Sequence, residues 1–337
     1  MTLRTYLLRR LVLIIPLLVG LSVLTFLIAR VVPGDPVGLA AGPQATAEIK
    51  AALTREFGLD QPLPVQYITY MGNLLTGDWG QSLYSRRAVW DDLRTYFPAT
   101  LELTLAAVLL ATLLGVPAGI ISAFYRNRLP DHISRIVALF FVSFPAFWLA
   151  MIFQSVLGLD LGWFPIGKRF DVRIAAPEAI TGLYLVDSLL HLDFTAFQMA
   201  LRHITTPALV LSFGSLASIT RITRASVLDV LERDYVRTAR AKGLPRLLVI
   251  SRHVFRNAAN AILTMIALEF GWLMAGAVLV ETIFDWPGLG LYAVESSLRL
   301  DFQPIMGITI LYGIIFSLVN VVTDVAYGIF DPRIRYG

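Results

Sequence analysis

A chain of 337 residues that is 56% apolar and only 15% charged, with a mean hydropathy of +0.69, has too little polar surface for a water-soluble domain of its length. Its net charge of +4 does not point to nucleic acid, because cations placed at the cytoplasmic ends of membrane helices produce the same balance. The absence of Cys excludes disulfides, thiolate nucleophiles, cysteine zinc sites and iron–sulfur ligation, and four scattered His leave little for any metal.

After Arg9 and Arg10, the uncharged run Leu11–Ala29 is close to the length that crosses a hydrocarbon core. No small-residue cleavage site follows it, so residues 1–30 read as a short cytoplasmic N-terminus and a first span rather than a removable leader. Residues 31–98 are mixed in polarity and punctuated by Pro33, Gly34, Gly58, Pro62, Pro64, Gly77 and Pro98. Ile49, Leu53 and Phe57, then Ile68, Met71 and Leu75, recur at helical spacing. Aromatic residues such as Tyr67, Tyr70, Trp79 and Trp90 argue against disorder. This stretch is expected to be an extracytoplasmic subdomain of short amphipathic helices.

Residues 99–337 form the expected membrane core. Uncharged runs at Leu103–Tyr125, Ile136–Leu159, about Ile204–Thr220, Ala258–Val280 and Ile305–Thr323 bring the number of spans to six. Pro145, behind Ser143 and before Phe147, predicts a kink in the third span lined by a hydroxyl. With six spans, the N-terminus, the link from Arg126 to Arg135, the segment 221–257 and the C-terminal tail share one side and carry 17 of the 28 Lys and Arg. By the positive-inside rule that side is cytoplasmic, and both termini lie there.

The segment 221–257 holds nine Lys or Arg against three acids. Ala225–Lys242 has no Pro or Gly and is expected to extend the fourth span as one helix. Gly243 and Pro245 then end that helix and begin another, since Gly suits a C-terminal cap and Pro a first helical turn. Ala239, Ala241 and Gly243 make a small-residue corner surrounded by Arg237, Arg240, Lys242 and Arg246. Such a corner suits docking of another protein, although a cationic anchor on anionic lipid is the plainer alternative.

The fragment DYVRTARAKGL at Asp234–Leu244 resembles the EAA-type coupling loop of type I ABC importer permeases, in the form of the B-type subunit of dipeptide, oligopeptide and nickel importers. The resemblance extends through the motifs at Tyr6–Pro36, Arg55–Tyr67 and Gly77–Leu93, FPATLEL, ETIFDWPGLG at Glu281–Gly290 and DPRIRY at Asp331–Tyr336. It implies an all-α fold in the inner membrane of a prokaryote and a non-catalytic pore subunit. The implied partners are a homologous second permease, two ATP-binding subunits and an extracytoplasmic substrate-binding protein, with lipid around the spans and no nucleic acid. The chain itself would carry no cofactor; ATP and Mg would belong to the partners. By resemblance Asp234, Tyr235, Arg237, Thr238, Ala239, Arg240, Ala241, Lys242 and Gly243 are the coupling residues, with Arg237 standing where the general consensus has Glu. The substrates implied are di- or oligopeptides, with nickel chelates or glutathione as alternatives. A self-contained ion-coupled transporter is the competing class; it calls for several buried ionisable groups.

Glu269 is the acid deepest inside an apolar run. A carboxylate at mid-membrane costs about 2.5–3.5 kcal/mol on insertion scales, so it must face the bundle interior, a partner or water. It is expected to line the translocation path with Ser143, Pro145 and Phe147, or else to make a structural pair across a subunit interface. GWFPIGKR at Gly162–Arg169 nearly matches a phosphate-binding loop, but Arg169 replaces the required hydroxyl residue. The chain is therefore not expected to hydrolyse ATP. Asp324 is expected to meet water or an Arg at the end of the sixth span. Trp286, Pro287 and Gly288 are expected to contact the binding protein or dip toward the pore mouth.

Overall fold

The computed structural model describes residues 3–330 apart from 32–35, 43, 57, 246 and 247. Arg246, the Pro33–Gly34 turn and the DPRIRY motif lie outside the described residues.

The first apolar run becomes α1 (Leu3–Val31), with Pro16 inside it. Three short helices follow: α2 (Pro36–Ala41), α3 (Ala47–Glu56) and α4 (Leu63–Leu75). Helix α4 carries no charged residue and lies against the second half of α1. Tyr67 Oη is 2.9 Å from Ser22 Oγ, and the rings of Tyr67 and Tyr70 sit 5.4 and 6.1 Å from that of Phe26.

Helix α5 (Val89–Phe124) begins nine residues before Pro98, which was expected to be a turn and instead lies within the helix. Tertiary packing overrides the local signal. Val89 and Leu93 are buried with Leu289, Tyr292 and Ile308, while the Ala99 carbonyl accepts a bond from Trp286 Nε1 at 2.9 Å.

The third span is broken rather than kinked. Helix α6 (Leu129–Ser143) meets α7 (Ala146–Phe153) and its wide-turn continuation Gln154–Asp160 at 94°. Phe144 and Pro145 are both extended, with ψ near 138° and 136°. A proline ring disfavours the helical region for the residue before it, and at Phe144, unlike at the residues before Pro16 and Pro98, the chain follows that preference and leaves the helix.

After α8 (Tyr184–Leu190), helix α9 (Phe194–Leu231) is capped by the Asp193 carboxylate, which accepts from the Ala196 N–H. Helices α5, α6, α7 and α8 pack against it. It comes close to α5 at Gly119, where an added Cβ would come within 2.6 Å of Thr223 Cβ and 2.7 Å of the Thr220 carbonyl. Small residues at such crossings let helix backbones meet in a bilayer.

The expected continuous helix Ala225–Lys242 is interrupted at Glu232–Arg233, and a separate α10 (Asp234–Ala241) follows. The chain turns back because Val236 and Ala239 belong to an apolar cluster with Val227, Val230, Val249 and Val254, which a straight helix would leave behind. A wide helical turn, Val249–Phe255, leads into α11 (Arg256–Gly276). Then come α12 (Val278–Ile283), α13 (Leu289–Leu298) and α14 (Phe302–Phe330).

Among the described residues, four helical stretches are long and apolar enough to span a membrane: 8–30, 89–124, 249–276 and 302–325. The bent α6–α7 pair supplies a fifth. The expected span at 204–220 falls in α9, outside those five stretches, where buried Thr206, Ser212, Ser215 and Thr220 interrupt the apolar residues.

Candidate coupling surface and translocation path

On α10, residues three apart divide the helix into two faces. Val236 and Ala239 are buried, while Asp234, Tyr235, Arg237, Thr238, Arg240, Ala241 and Lys242 are exposed. Ala239 was expected on the outer corner; it faces inward, so the exposed small residues are Ala241 and Gly243. At Gly243 φ is +72°, its N–H donates to the Arg240 carbonyl at 2.9 Å, and nothing lies within 4 Å of where a Cβ would be. Its conformation, not crowding, calls for glycine. The Arg237–Asp234 contact of 3.7 Å is fully solvated and holds little. What α10 presents is a short, cationic, polar ridge seated on an apolar cluster.

Beneath the ridge lies an ionic clamp that the sequence did not reveal. Asp131 on α6 is wholly buried. It accepts from Ser122 Oγ at 2.6 Å, from the Asn127 N–H at 2.9 Å and from both arms of Arg224 at 2.8 and 2.9 Å. Ser122 precedes Ala123 and Arg224 is one turn before Val227, and both Ala123 and Val227 belong to the cluster under α10. The start of α6 is thus tied to the helices that carry α10. Arg126 and Glu232, 2.9 Å apart, bridge the same corner at the surface.

The break between α6 and α7 opens a cavity of about 410 Å³ against α9 and α11. Glu269, 9% exposed, lines it together with Ser215, Phe141, Phe144, Phe213 and Trp272. Ser215 Oγ donates to Glu269 Oε2 at 2.6 Å. Phe141 and Phe213 stack with ring centroids 3.9 Å apart. Ser143, Pro145 and Phe147 are not among the lining residues; the Ser143 hydroxyl donates instead to the Leu139 carbonyl of its own helix. Because the chain turns at Phe144, the wall is made by Phe141, Phe144 and Ala146.

The GWFPIGKR segment is a strap with no preceding strand among the described residues. The Lys168 N–H donates to the Phe284 carbonyl at 2.7 Å. Arg169 is buried, with both Nε and Nη2 on Glu102 Oε2 at 2.9 and 2.6 Å, a further bond to the Gly182 carbonyl, and its guanidinium 3.8 Å from the Tyr184 ring centroid. Glu102 also accepts from the Leu185 N–H. Glu281, equally buried, accepts from Thr100 Oγ1 and from the N–H groups of Gly290 and Leu291 at the start of α13. Sequence reasoning singled out Glu269 and passed over Glu102 and Glu281, which sit outside the uncharged runs. The ETIFDWPGLG motif was the available signal for Glu281.

Trp286 is 1% exposed and Gly288 is also buried. Both pack into the protein core, so they are not presented to a partner as expected; Asp285 and the half-buried Pro287 are the residues of that turn that reach the surface. Asp324 meets Arg10 at 2.8 Å, joining α14 to α1. Among the described residues no three His, Asp or Glu side chains converge as a metal centre requires.

A bundle of apolar helices with a broken span, a cavity at the break and an exposed helix–turn ridge is the architecture of a multi-pass membrane permease. Residues 115–336 match the family model of the binding-protein-dependent transport system inner membrane component, and residues 3–104 match the model of its N-terminal part. The chain belongs to this family and is an inner-membrane permease of the ABC transporter class. It is 43% identical over 333 residues to the di/tripeptide transport system permease protein DppB of Pseudomonas aeruginosa (strain UCBPP-PA14), covering 98% of this chain and 99% of that protein. To the probable D,D-dipeptide transport system permease protein DdpB of Escherichia coli (strain K12) it is 43% identical, covering 94% of each. To the glutathione transport system permease protein GsiC of the same strain it is 39% identical, covering 98% and 99%. The fold resembles that of the inward-facing MetNI methionine ABC transporter at a TM-score of 0.50 and 13% identity, covering 69% of this chain and 93% of that one. An amino acid ABC transporter crystallised with histidines also matches at a TM-score of 0.50 and 16% identity, covering 70% and 92%.

Proposed function

We propose that this permease forms half of the pore of an ATP-driven importer of small peptides. The observation that carries the reading is its likeness, along nearly the whole chain, to a di/tripeptide permease. A homologous permease completes the pore, two ATP-binding subunits hold ATP and Mg, and an extracytoplasmic binding protein delivers the peptide. The N-terminus, residues 221–257 and the C-terminus lie in the cytoplasm, the rest of residues 1–30 is the first span, and residues 31–98 form the extracytoplasmic subdomain.

In this reading the exposed face of α10 and the Gly243 turn, Asp234–Gly243, sit in a groove of one ATP-binding subunit. Movement there passes through the apolar cluster under α10 and the Asp131–Arg224 clamp to α6, whose far end walls the Glu269 cavity. The surface of the α12–α13 turn that meets the binding protein is Asp285 and Pro287. Glutathione, itself a small peptide, is the second substrate to test, because a glutathione permease is 39% identical. Purification of the tagged chain from its native membrane should bring down the second permease and the ATP-binding subunits. In proteoliposomes, dipeptide uptake should require ATP and the binding protein; uptake independent of both would assign the chain to a different transporter class.

A further inference from the structure

The cavity at the α6–α7 break holds a carboxylate with no opposite charge beside it among the described residues. Glu269 is more than nine-tenths buried, and no Lys, Arg or His lines the cavity. Among the described residues Ser215 is its hydrogen-bond partner, and that bond is made to Oε2. Oε1 accepts none. The rest of the wall is apolar or aromatic: Phe141, Phe144, Phe213 and Trp272. Trp272, one turn from Glu269 on α11, is 74% exposed.

An ionised carboxylate in an apolar recess is stabilised chiefly by a cation that enters with it. Aromatic side chains line the same cavity, and an aromatic ring attracts a cation through its quadrupole. One carboxylate and one hydroxyl are too few donors for a divalent metal ion, which takes six or more oxygens or a closed tetrahedral set. They are enough for a primary ammonium, which needs an acceptor and an apolar surround for the carbon attached to it. Ser215 holds the carboxylate in one orientation, and the cavity of about 410 Å³ accommodates the end of a small peptide.

We propose that Glu269, oriented by Ser215 and flanked by Phe141, Phe144, Phe213 and Trp272, is a transit site for the primary ammonium group of the substrate, the free amino terminus of the peptide. The proposal rests on the peptide-import reading and adds to it the part of the substrate that the permease itself recognises. Glu269 binds rather than catalyses, and the permease thereby adds its own selection to that of the binding protein.

The test uses the complete complex in proteoliposomes with one wild-type binding protein throughout. Uptake of dialanine and of N-acetyl-dialanine is measured for the wild type, Glu269→Gln, Glu269→Asp and Ser215→Ala, in preparations that retain the ATP-binding subunits. Glu269→Gln should lower dialanine uptake by about tenfold, the equivalent of losing about 1.4 kcal/mol of recognition. It should leave uptake of the acetylated form within about twofold of the wild-type rate, so that the ratio of the two substrates collapses. Glu269→Asp should restore most dialanine uptake, and Ser215→Ala should fall between. If the acetylated form is carried by none of the complexes, the Gln loss and Asp recovery on dialanine decide the matter. Equal loss of both substrates, no loss of either, or loss of the second permease from Glu269→Gln complexes would overturn the proposal, the last by showing that Glu269 pairs with that subunit. A wild-type complex that carries no peptide on ATP would instead refute the peptide-import reading.

Discussion

Arg169 and Glu102 illustrate how much of this membrane protein depends on single side chains. Both are buried, 2.6 Å apart at closest, and each also bonds the backbone of the segment 182–185. Such a pair contributes little net stability against an apolar substitute, but removing one member leaves the other charge buried and unanswered. Arg169→Ala is expected to lower the stability of the protein in detergent by about 3–5 kcal/mol, read as a large fall in thermal unfolding midpoint, with Arg169→Met less severe when combined with Glu102→Gln. In sequence Arg169 appeared as the residue that spoils a phosphate-binding motif. Its role was not legible because Glu102 is 67 positions away, and only the fold brings them together.

At the scale of the helix, two glycines act for opposite reasons. Gly119 on α5 is crowded: a side chain there meets the Thr220 carbonyl and Thr223 on α9. Gly119→Leu should force the two helices apart and reduce the yield of folded protein in size-exclusion chromatography, whereas Gly214→Ala on α9, with open space around it, should not. Gly243 is uncrowded but left-handed. Gly243→Val would cost about 1–2 kcal/mol locally and reshape the turn after α10, while the spans, whose packing it does not touch, remain inserted. The expected outcome is loss of copurifying ATP-binding subunits, or retained ATP hydrolysis with at least about a tenfold fall in uptake. Normal uptake by Gly243→Val would remove α10 from the coupling role. The helix–turn–helix at this place was legible from Gly243 and Pro245. The break at Glu232–Arg233 was not, because no local residue demands it and the apolar cluster that Val236 and Ala239 join is assembled from α5, α9 and α11.

For the whole molecule, the distribution of Lys and Arg predicts which loops face the cytoplasm, and the absence of Cys makes that directly measurable. In intact cells a membrane-impermeant maleimide should label Arg173→Cys, which replaces a highly exposed side chain in the loop between α7 and α8. Lys242→Cys, also exposed, should react only after the membrane is opened. The reverse pattern would invert the topology. The sequence by itself determined the apolar runs, the cationic segment and the family to which both belong, since hydrophobic length, charge bias and motif are properties of consecutive residues. It also singled out Glu269, because a charge inside an apolar run is conspicuous. Only the tertiary structure decided that the third span breaks at 94°, that Trp286 is buried in the core, and that Phe141, Phe144, Phe213 and Trp272 line one cavity with Glu269. Those outcomes depend on helices distant in the chain, whose packing in three dimensions settles which turn, face and partner each residue adopts.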